Sequence, residues 1–253
     1  MQEEIRYYFP CLARDKPGAG EANMTTNKLY RLTERIWVYP FEVERDRPNI
    51  SYIRGDHWSL AVDAGHSDEH VREFYQALEE TGLPMPKLTV LTHWHWDHTF
   101  GMHAVRGLTL ANERTNRYLA DFRQRLEKEG PDFFLAMDES IRKEYRDGKQ
   151  VIVRLADLVF RAEILLDPGG CPIRAFQAEA PHTDDCTLVE VPGEKALILG
   201  DSTGGVFPEW TVDPIPAAKL AETVRTINPG ICLPGHWTSL TPEVIIQDLL
   251  EGE

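Results

Sequence analysis

Hydrophobic positions cluster in short runs over most of the chain, and the runs fall into two blocks separated by a more helical stretch. In the first block, residues 36–41, 50–54 and 59–63 are β-prone, the last two separated by the turn signal Gly55-Asp56. Ser67 then stands as a helix cap, and Val71, Phe74, Tyr75 and Leu78 fall at i, i+3, i+4 and i+7. Gly82 and Pro84 end that helix, and residues 88–92 are an apolar run of the kind expected of a strand covered on both faces. Residues 112–147 predict two helices broken at Gly130-Pro131, the first with a stripe of Tyr118, Leu119, Phe122 and Leu126. Strand signals return at 158–166, 173–179, 187–191 and 196–199, with Pro192-Gly193 as a turn. Asp213-Pro214 opens a helix carrying Leu220, Ala221, Val224 and Ile227 on one face, and Asn228-Pro229-Gly230 stops it. A last strand at 231–233 leads to a helix capped by Thr241-Pro242-Glu243.

Two β-rich halves, each closed by helices, imply two sheets packed face to face with helices outside, in one domain over 1–253. Residues 1–28 hold Pro10, Pro17, Gly18 and Gly20 and read as an arm with a short strand around 5–9. The 253-residue chain is long enough to bury a full core without disulfide staples. Its four cysteines, Cys11, Cys171, Cys186 and Cys232, form no C-x-x-C pair and read as free thiols of a reducing compartment. No early apolar run resembles a signal-peptide core and no segment approaches the ~18 apolar residues of a membrane span, so a cytoplasmic location away from membranes is expected. The formal net charge of −14 repels phosphate backbones and disfavours a nucleic-acid partner.

The chemistry is concentrated in Thr92-His93-Trp94-His95-Trp96-Asp97-His98, directly after the 88–92 strand. Imidazole and carboxylate are natural ligands of zinc and its first-row neighbours. At a strand end, His93 and His95 project the same way and can reach one ion, while Asp97 and His98 can turn toward a second. A solvated polar loop is the bland alternative, and three histidines with an aspartate in six residues outweigh it. His57, His66, His70 and His103 stand apart from the motif and are not expected to bind metal, although His66 follows a strand end and could sit at the rim.

This stretch resembles the metallo-β-lactamase superfamily, whose hallmark is the His-x-His-x-Asp-His motif, and the resemblance runs from about Leu29 to the C-terminus. Asp63 in Val62-Asp63-Ala64-Gly65 matches the family's strand-end aspartate, His182 its third single histidine, Asp201 its bridging aspartate and His236 its last ligand. The resemblance implies an α+β, four-layer αβ/βα sandwich with a helical insertion between the metal loop and the strand of the third ligand. It implies that His93, His95 and His182 hold one ion, that Asp97, His98 and His236 hold the other, and that Asp201 bridges them. Two divalent ions are expected, zinc first, with manganese or iron as alternatives. Such a pair shares a water and lowers its pKa toward ~7, giving a metal-bridging hydroxide that attacks a carbonyl. Asp97 is the expected catalytic residue, orienting the nucleophile and passing a proton to the leaving group. Asp63 is expected to support the loop from behind.

The substrate class is less sharply marked. Asp201 stands where some β-lactamases carry cysteine, and His95 where flavodiiron oxidoreductases carry glutamate. Only residues 237–253 follow His236, too few for the helical domain of glyoxalase II. Ser202-Thr203-Gly204-Gly205 lacks the tyrosine common in quorum-quenching lactonases. Trp94, Trp96, Phe207, Trp210 and Trp237 lie close in sequence to the ligands, and Trp237 and Phe207 could line an apolar pocket. The expected substrate is therefore a small, partly apolar ester, thioester, lactone or lactam. The alternatives are a phosphodiesterase, a mononuclear-iron enzyme of sulfur metabolism and, ranked lower, a non-catalytic binding module. Phe133, Phe134, Leu135 and Met137 could be a lid over the metals or a stripe packing the insertion onto the domain or a second subunit, so a homo-oligomer stays open.

Overall fold

A computed structural model describes residues 28–251, so the strand expected around 5–9 lies outside the described residues. The first sheet holds β1 (Tyr30–Arg31), β2 (Ile36–Tyr39), β3 (Ile50–Arg54), β4 (Ser59–Val62), β5 (Leu88–Val90), β6 (Leu108–Asn112) and β7 (Leu158–Phe160), in that order. Its first four strands pair antiparallel and β4 to β7 pair parallel. The second sheet holds β8 (Glu163–Leu166), β9 (Ile173–Gln177), β10 (Thr187–Val191), β11 (Ala196–Gly200) and β12 (Ile231–Pro234), in spatial order β12-β11-β10-β9-β8. Only β11 and β12 are parallel there.

The period of two along each strand sorts side chains into layers. Ile36, Val38, Ile53, Leu60, Val62 and Val90 meet Ile173, Ala175, Val189, Val191, Ile198 and Leu233 between the sheets. Their neighbours Trp37, Tyr39, Tyr52 and Ala61 face outward onto Val71, Phe74 and Leu78 of α1 (Asp68–Thr81). On the opposite side, Leu188, Leu197, Leu199 and Cys232 pack against α6 (Pro214–Ile227) and α7 (Pro242–Glu251) through Leu220, Val224, Ile245 and Leu249. Both sheets are thus apolar on both faces, and the four layers follow. The cap signals behave as their chemistry requires. Ser67 Oγ accepts from His70 N at 3.3 Å, Gly82 ends α1 at φ 72°, and Asn228 ends α6 at φ 51°.

Three local expectations are corrected. Residues 158–166 form two strands that edge different sheets, because the chain turns at Arg161-Ala162 and crosses between layers. Strand β6 had no clear signal: it is five residues long, and its last residue, Asn112, already accepts from Arg114 N at 2.9 Å as the next helix's cap. The metal loop itself contains a short helix, α2 (Trp96–Thr99), and the insertion holds α3 (Glu113–Glu129), α4 (Asp132–Leu135) and α5 (Glu139–Glu144) rather than two helices.

Of the two readings open for 133–137, a lid or a packing stripe, the structure shows packing within the described residues. Phe134 is 0% exposed, with ring centroids 5.3 Å from Phe100, 5.6 Å from Phe122, 5.6 Å from Tyr145 and 5.8 Å from Trp96. Phe133 lies 5.5 Å from Phe122 and beneath the Arg125 guanidinium at 3.9 Å. Leu135 and Met137 join the same cluster. Among the described residues, no helix is long and apolar enough to cross a membrane.

Candidate metal centre

The C-terminal ends of β4, β5, β11 and β12 converge on one edge of the sandwich. Asp63 follows β4 at φ 69° and accepts from Thr92 N at 2.8 Å, from Thr92 Oγ1 and from His98 Nδ1 at 2.8 Å. A carboxylate can only accept here, so His98 carries its proton on Nδ1 and turns Nε2 into the centre. His182 is fixed in the same way. Its Nδ1 donates to the Gly205 carbonyl at 2.7 Å, which leaves Nε2 unprotonated and inward.

Close backbone approach brings the second sheet's residues in. Gly235 N donates to Gly200 O at 2.8 Å, and a Cβ on Gly235 would lie 2.1 Å from Asp201 Oδ1. Asn49, just before β3, holds the loop after β12 by donating to the Pro234 and Trp237 carbonyls at 2.8 and 2.7 Å. Thr187 N donates to Thr92 O at 2.7 Å, tying the two ligand-bearing edges together.

All seven expected residues are brought together, in two groups. In the first, His182 Nε2 lies 2.9 Å from His95 Nδ1 and 3.2 Å from His93 Nε2. In the second, His236 Nε2 is 2.9 Å from Asp97 Oδ2 and 3.4 Å from Asp201 Oδ2, while His98 Nε2 is 3.2 and 3.3 Å from the same two oxygens. A tetrahedral zinc with ligands at about 2.0–2.1 Å separates its ligand atoms by roughly 3.3 Å, so both groups have the spacing of a coordination shell.

Burial and charge point the same way. Desolvation holds His93 and His182 below the usual imidazole range and pushes His95 down to about 3, so three neutral nitrogens aim lone pairs at one place. Burial would lower His98 and His236 as well, but the carboxylates beside them, Asp97 and Asp201 foremost, raise both well above the ordinary value. Burial would raise Asp97 and Asp201, yet His98 and His236 hold both well below the carboxylate range. The carboxylates of the second group thus draw positive charge to its centre, which a divalent cation would supply. The donors present fit two metal ions.

A family model described as the metallo-beta-lactamase superfamily matches residues 43–236. The chain belongs to the metallo-beta-lactamase superfamily. Solved structures with the same fold include a metallo-beta-lactamase from Pontibacter korlensis, 16% identical over 88% of this chain and 96% of that one, with a TM-score of 0.63. DIM-1 metallo-beta-lactamase is 17% identical over 88% and 96% of the two chains, with a TM-score of 0.64. A metallo beta lactamase from Hirschia baltica is 16% identical over 87% and 95%, with a TM-score of 0.61. No curated protein matches. As a member of this superfamily, whose sites hold two metals, the chain is a metallohydrolase.

The superfamily framework also places residues that the sequence did not single out. Asp46, at φ 50°, puts Oδ1 3.9 Å from His236 Nδ1. Arg47, 1% exposed, donates through Nε and Nη2 to the two Glu144 oxygens at 2.8 Å each, and Ser67 Oγ donates to Glu144 as well. His66 is fully buried, its Nδ1 3.0 Å from Arg45 O and 3.1 Å from Asp46 O, so it supports the loop and does not line the rim. His57 is exposed as expected. Nothing in the 42–47 sequence beyond alternating charges signals these roles, because backbone approach creates them.

Proposed function

We propose that this chain hydrolyses a small, partly apolar carbonyl compound (an ester, thioester, lactone or lactam) with two divalent ions, zinc foremost. The observation that carries the reading is the pair of donor groups, the first buried and the second half-buried at Asp201 and His236, with internal spacings of 2.9–3.4 Å and drawn from both sheets. His93, His95 and His182 would hold one ion and Asp97, His98 and His236 the other, with Asp201 between them. When bound, two such ions lower the pKa of water toward neutrality and polarise a carbonyl oxygen.

The chain's own part is positional. Asp63 and Thr92 fix the His98 ring, Gly205 fixes the His182 tautomer, and Asn49 fixes the approach of His236. Asp97 orients the attacking water and carries its proton to the leaving atom. Trp94, half-buried against the His95 ring, and Phe207, half-buried edge-on to Trp96, shield that side from bulk water. The net charge of −14 supports a small molecule over nucleic acid as the partner, and the unpaired, buried Cys171, Cys186 and Cys232 suit a reducing cytoplasm.

The deciding experiment joins elemental analysis of the purified protein to a screen over esters, thioesters, lactones, β-lactams and phosphodiesters. About two transition-metal ions per chain are expected, with turnover on a carbonyl class. Asp97→Asn should retain the fold and lose turnover by a factor of about 10²–10⁴, while His57→Ala stays at the wild-type rate. Turnover confined to phosphodiesters, or Asp97→Asn at full rate, would overturn the reading.

A further inference from the structure

The loop after Asp201 spends backbone energy to place one ring. Trp210 sits at φ 54°, a region that bulky residues rarely occupy and that normally falls to glycine or asparagine. It is held there by Trp210 N donating to Val206 O at 2.7 Å and Val206 N donating to Thr211 O at 2.9 Å. Gly205 makes the fold-back feasible, since a Cβ there would meet the Trp210 carbonyl at 2.2 Å. The indole consequently lies nearly parallel to the His182 ring, 6.3 Å between centroids and 16° between planes, and Phe207 braces it edge-on at 5.5 Å. Trp210 is nevertheless 39% exposed. A strained aromatic laid beside a candidate ligand and left partly open to solvent is a recognition surface, not core packing. At the other donor group, Trp237 follows His236 and stacks on Phe41 at 6.4 Å and 9°.

The charge of the same rim is one-sided. The loops 63–67, 92–98, 180–186, 201–213 and 235–241 contain no Lys or Arg and carry the exposed Asp184, Glu209 and Asp213, while Asp185 is buried against Thr115. The flanking Arg45, Arg47 and Arg114 are committed to carboxylates: Arg45 to Glu42 at 2.6 Å, Arg47 to Glu144 at 2.8 Å and Glu73 at 3.1 Å, and Arg114 to Asp184 at 3.5 Å. Away from the ions themselves, an anionic group entering this rim would meet aromatic faces and exposed carboxylates, with the flanking guanidiniums already paired.

We propose that the site selects uncharged carbonyl substrates carrying an aromatic group seated on Trp210, and discriminates against those bearing a carboxylate or phosphate. The proposal rests on the hydrolase reading above. It removes from the expected substrates the acidic members, including thioesters of phosphorylated carriers and lactams with a free carboxylate.

The test uses zinc-loaded protein and three esters: methyl phenylacetate, its 4-carboxy derivative, and methyl hexanoate, followed by pH-stat. Binding of phenylacetamide and 4-carboxyphenylacetamide is measured alongside by calorimetry. The neutral aromatic ester should exceed the anionic one at least about tenfold in kcat/KM. Trp210→Gly should cut the aromatic-over-aliphatic preference by about fivefold to tenfold through KM, from the lost ring contact. Its metal content should stay unchanged and its folding stability should be no lower, since glycine accepts φ 54° without strain. Trp210→Phe should restore most of the preference. The proposal is overturned by equal or better use of the anionic ester, or by an aromatic preference intact in Trp210→Gly. If no ester turns over yet phenylacetamide binds in preference to its acid, the rim assignment stands and the hydrolase reading falls. If neither amide binds and no ester turns over, both fall.

Discussion

A methyl group on Gly235 would sit 2.1 Å from Asp201 Oδ1 and 2.9 Å from His98 Cε1, so this position tests how tightly the second donor group is packed. Gly235→Ala must move one of those side chains. The expected outcome is a loss of about 1–3 kcal/mol in folding stability and bound metal reduced toward one ion per chain, measured by chemical denaturation and elemental analysis. Two ions at full occupancy in that variant would show that Asp201 has room to yield. At this scale the sequence was informative where donors are contiguous or sit at strand ends: His93, His95 and His182 meet in one group, and Asp97, His98, Asp201 and His236 in the other. It was silent on Asp46 and Asn49, whose partners His236 and Pro234 lie far along the chain, 185 positions away in the case of Asn49. No local pattern encodes a contact that only the closed sandwich creates.

Helix α5 is joined to the centre by charge as well as by apolar contact through Ile141. Glu144 is 0% exposed and receives Arg47 and Ser67, and Arg47 continues through Asp46 toward His236. Glu144→Gln leaves the buried Arg47 with only the half-buried Glu69 and Glu73 at 3.3 and 3.1 Å, so it should cost about 1.5–3 kcal/mol by urea denaturation, and Glu144→Gln with Arg47→Met should recover part of it. A single variant within 1 kcal/mol of wild type would mean that water replaces the lost partner. On α7, burial raises the Asp248 carboxyl to about 6, and its Oδ1 has no hydrogen-bond partner. A carboxyl whose folded pKa lies above its unfolded value contributes fully below about pH 4, and that contribution is lost as pH rises through 6. Asp248→Asn should therefore raise stability at pH 8 by on the order of 1–2 kcal/mol after allowance for solvent screening, seen as a higher thermal midpoint. The gain should vanish at pH 4, and a gain at both pH values would exclude a titration origin. Element order was legible from periodicity, since Ser67, Gly82, Asp213 and Asn228 mark their helices by cap chemistry that acts locally. The 158–166 stretch misled because a two-residue turn between apolar runs carries the same pattern as an unbroken strand, and only the layer change separates β7 from β8.

For the molecule as a whole, the donors divide between the layers. His93, His95, Asp97 and His98 follow β5 of the first sheet, while Asp201 and His236 follow β11 and β12 of the second. Each ion would cross-link the two, and binding only the folded form adds about 4 kcal/mol when free metal exceeds its dissociation constant a thousandfold. Chelator-stripped protein should unfold at a distinctly lower temperature than the zinc-loaded form, and calorimetry during zinc titration should return it. A midpoint insensitive to chelation would mean that the inter-sheet core alone holds the halves together.

The chain passes from one sheet to the other only once among the described residues, at Arg161-Ala162, and every strand on either side of that step stays in its own sheet. The molecule is therefore divisible. A gene cut at this turn would yield two polypeptides, each with one sheet, its outer helices and part of the donor set. Their reassembly would be guided by the shared apolar layer and completed by zinc, giving a two-piece protein whose association reports on the metal that joins it.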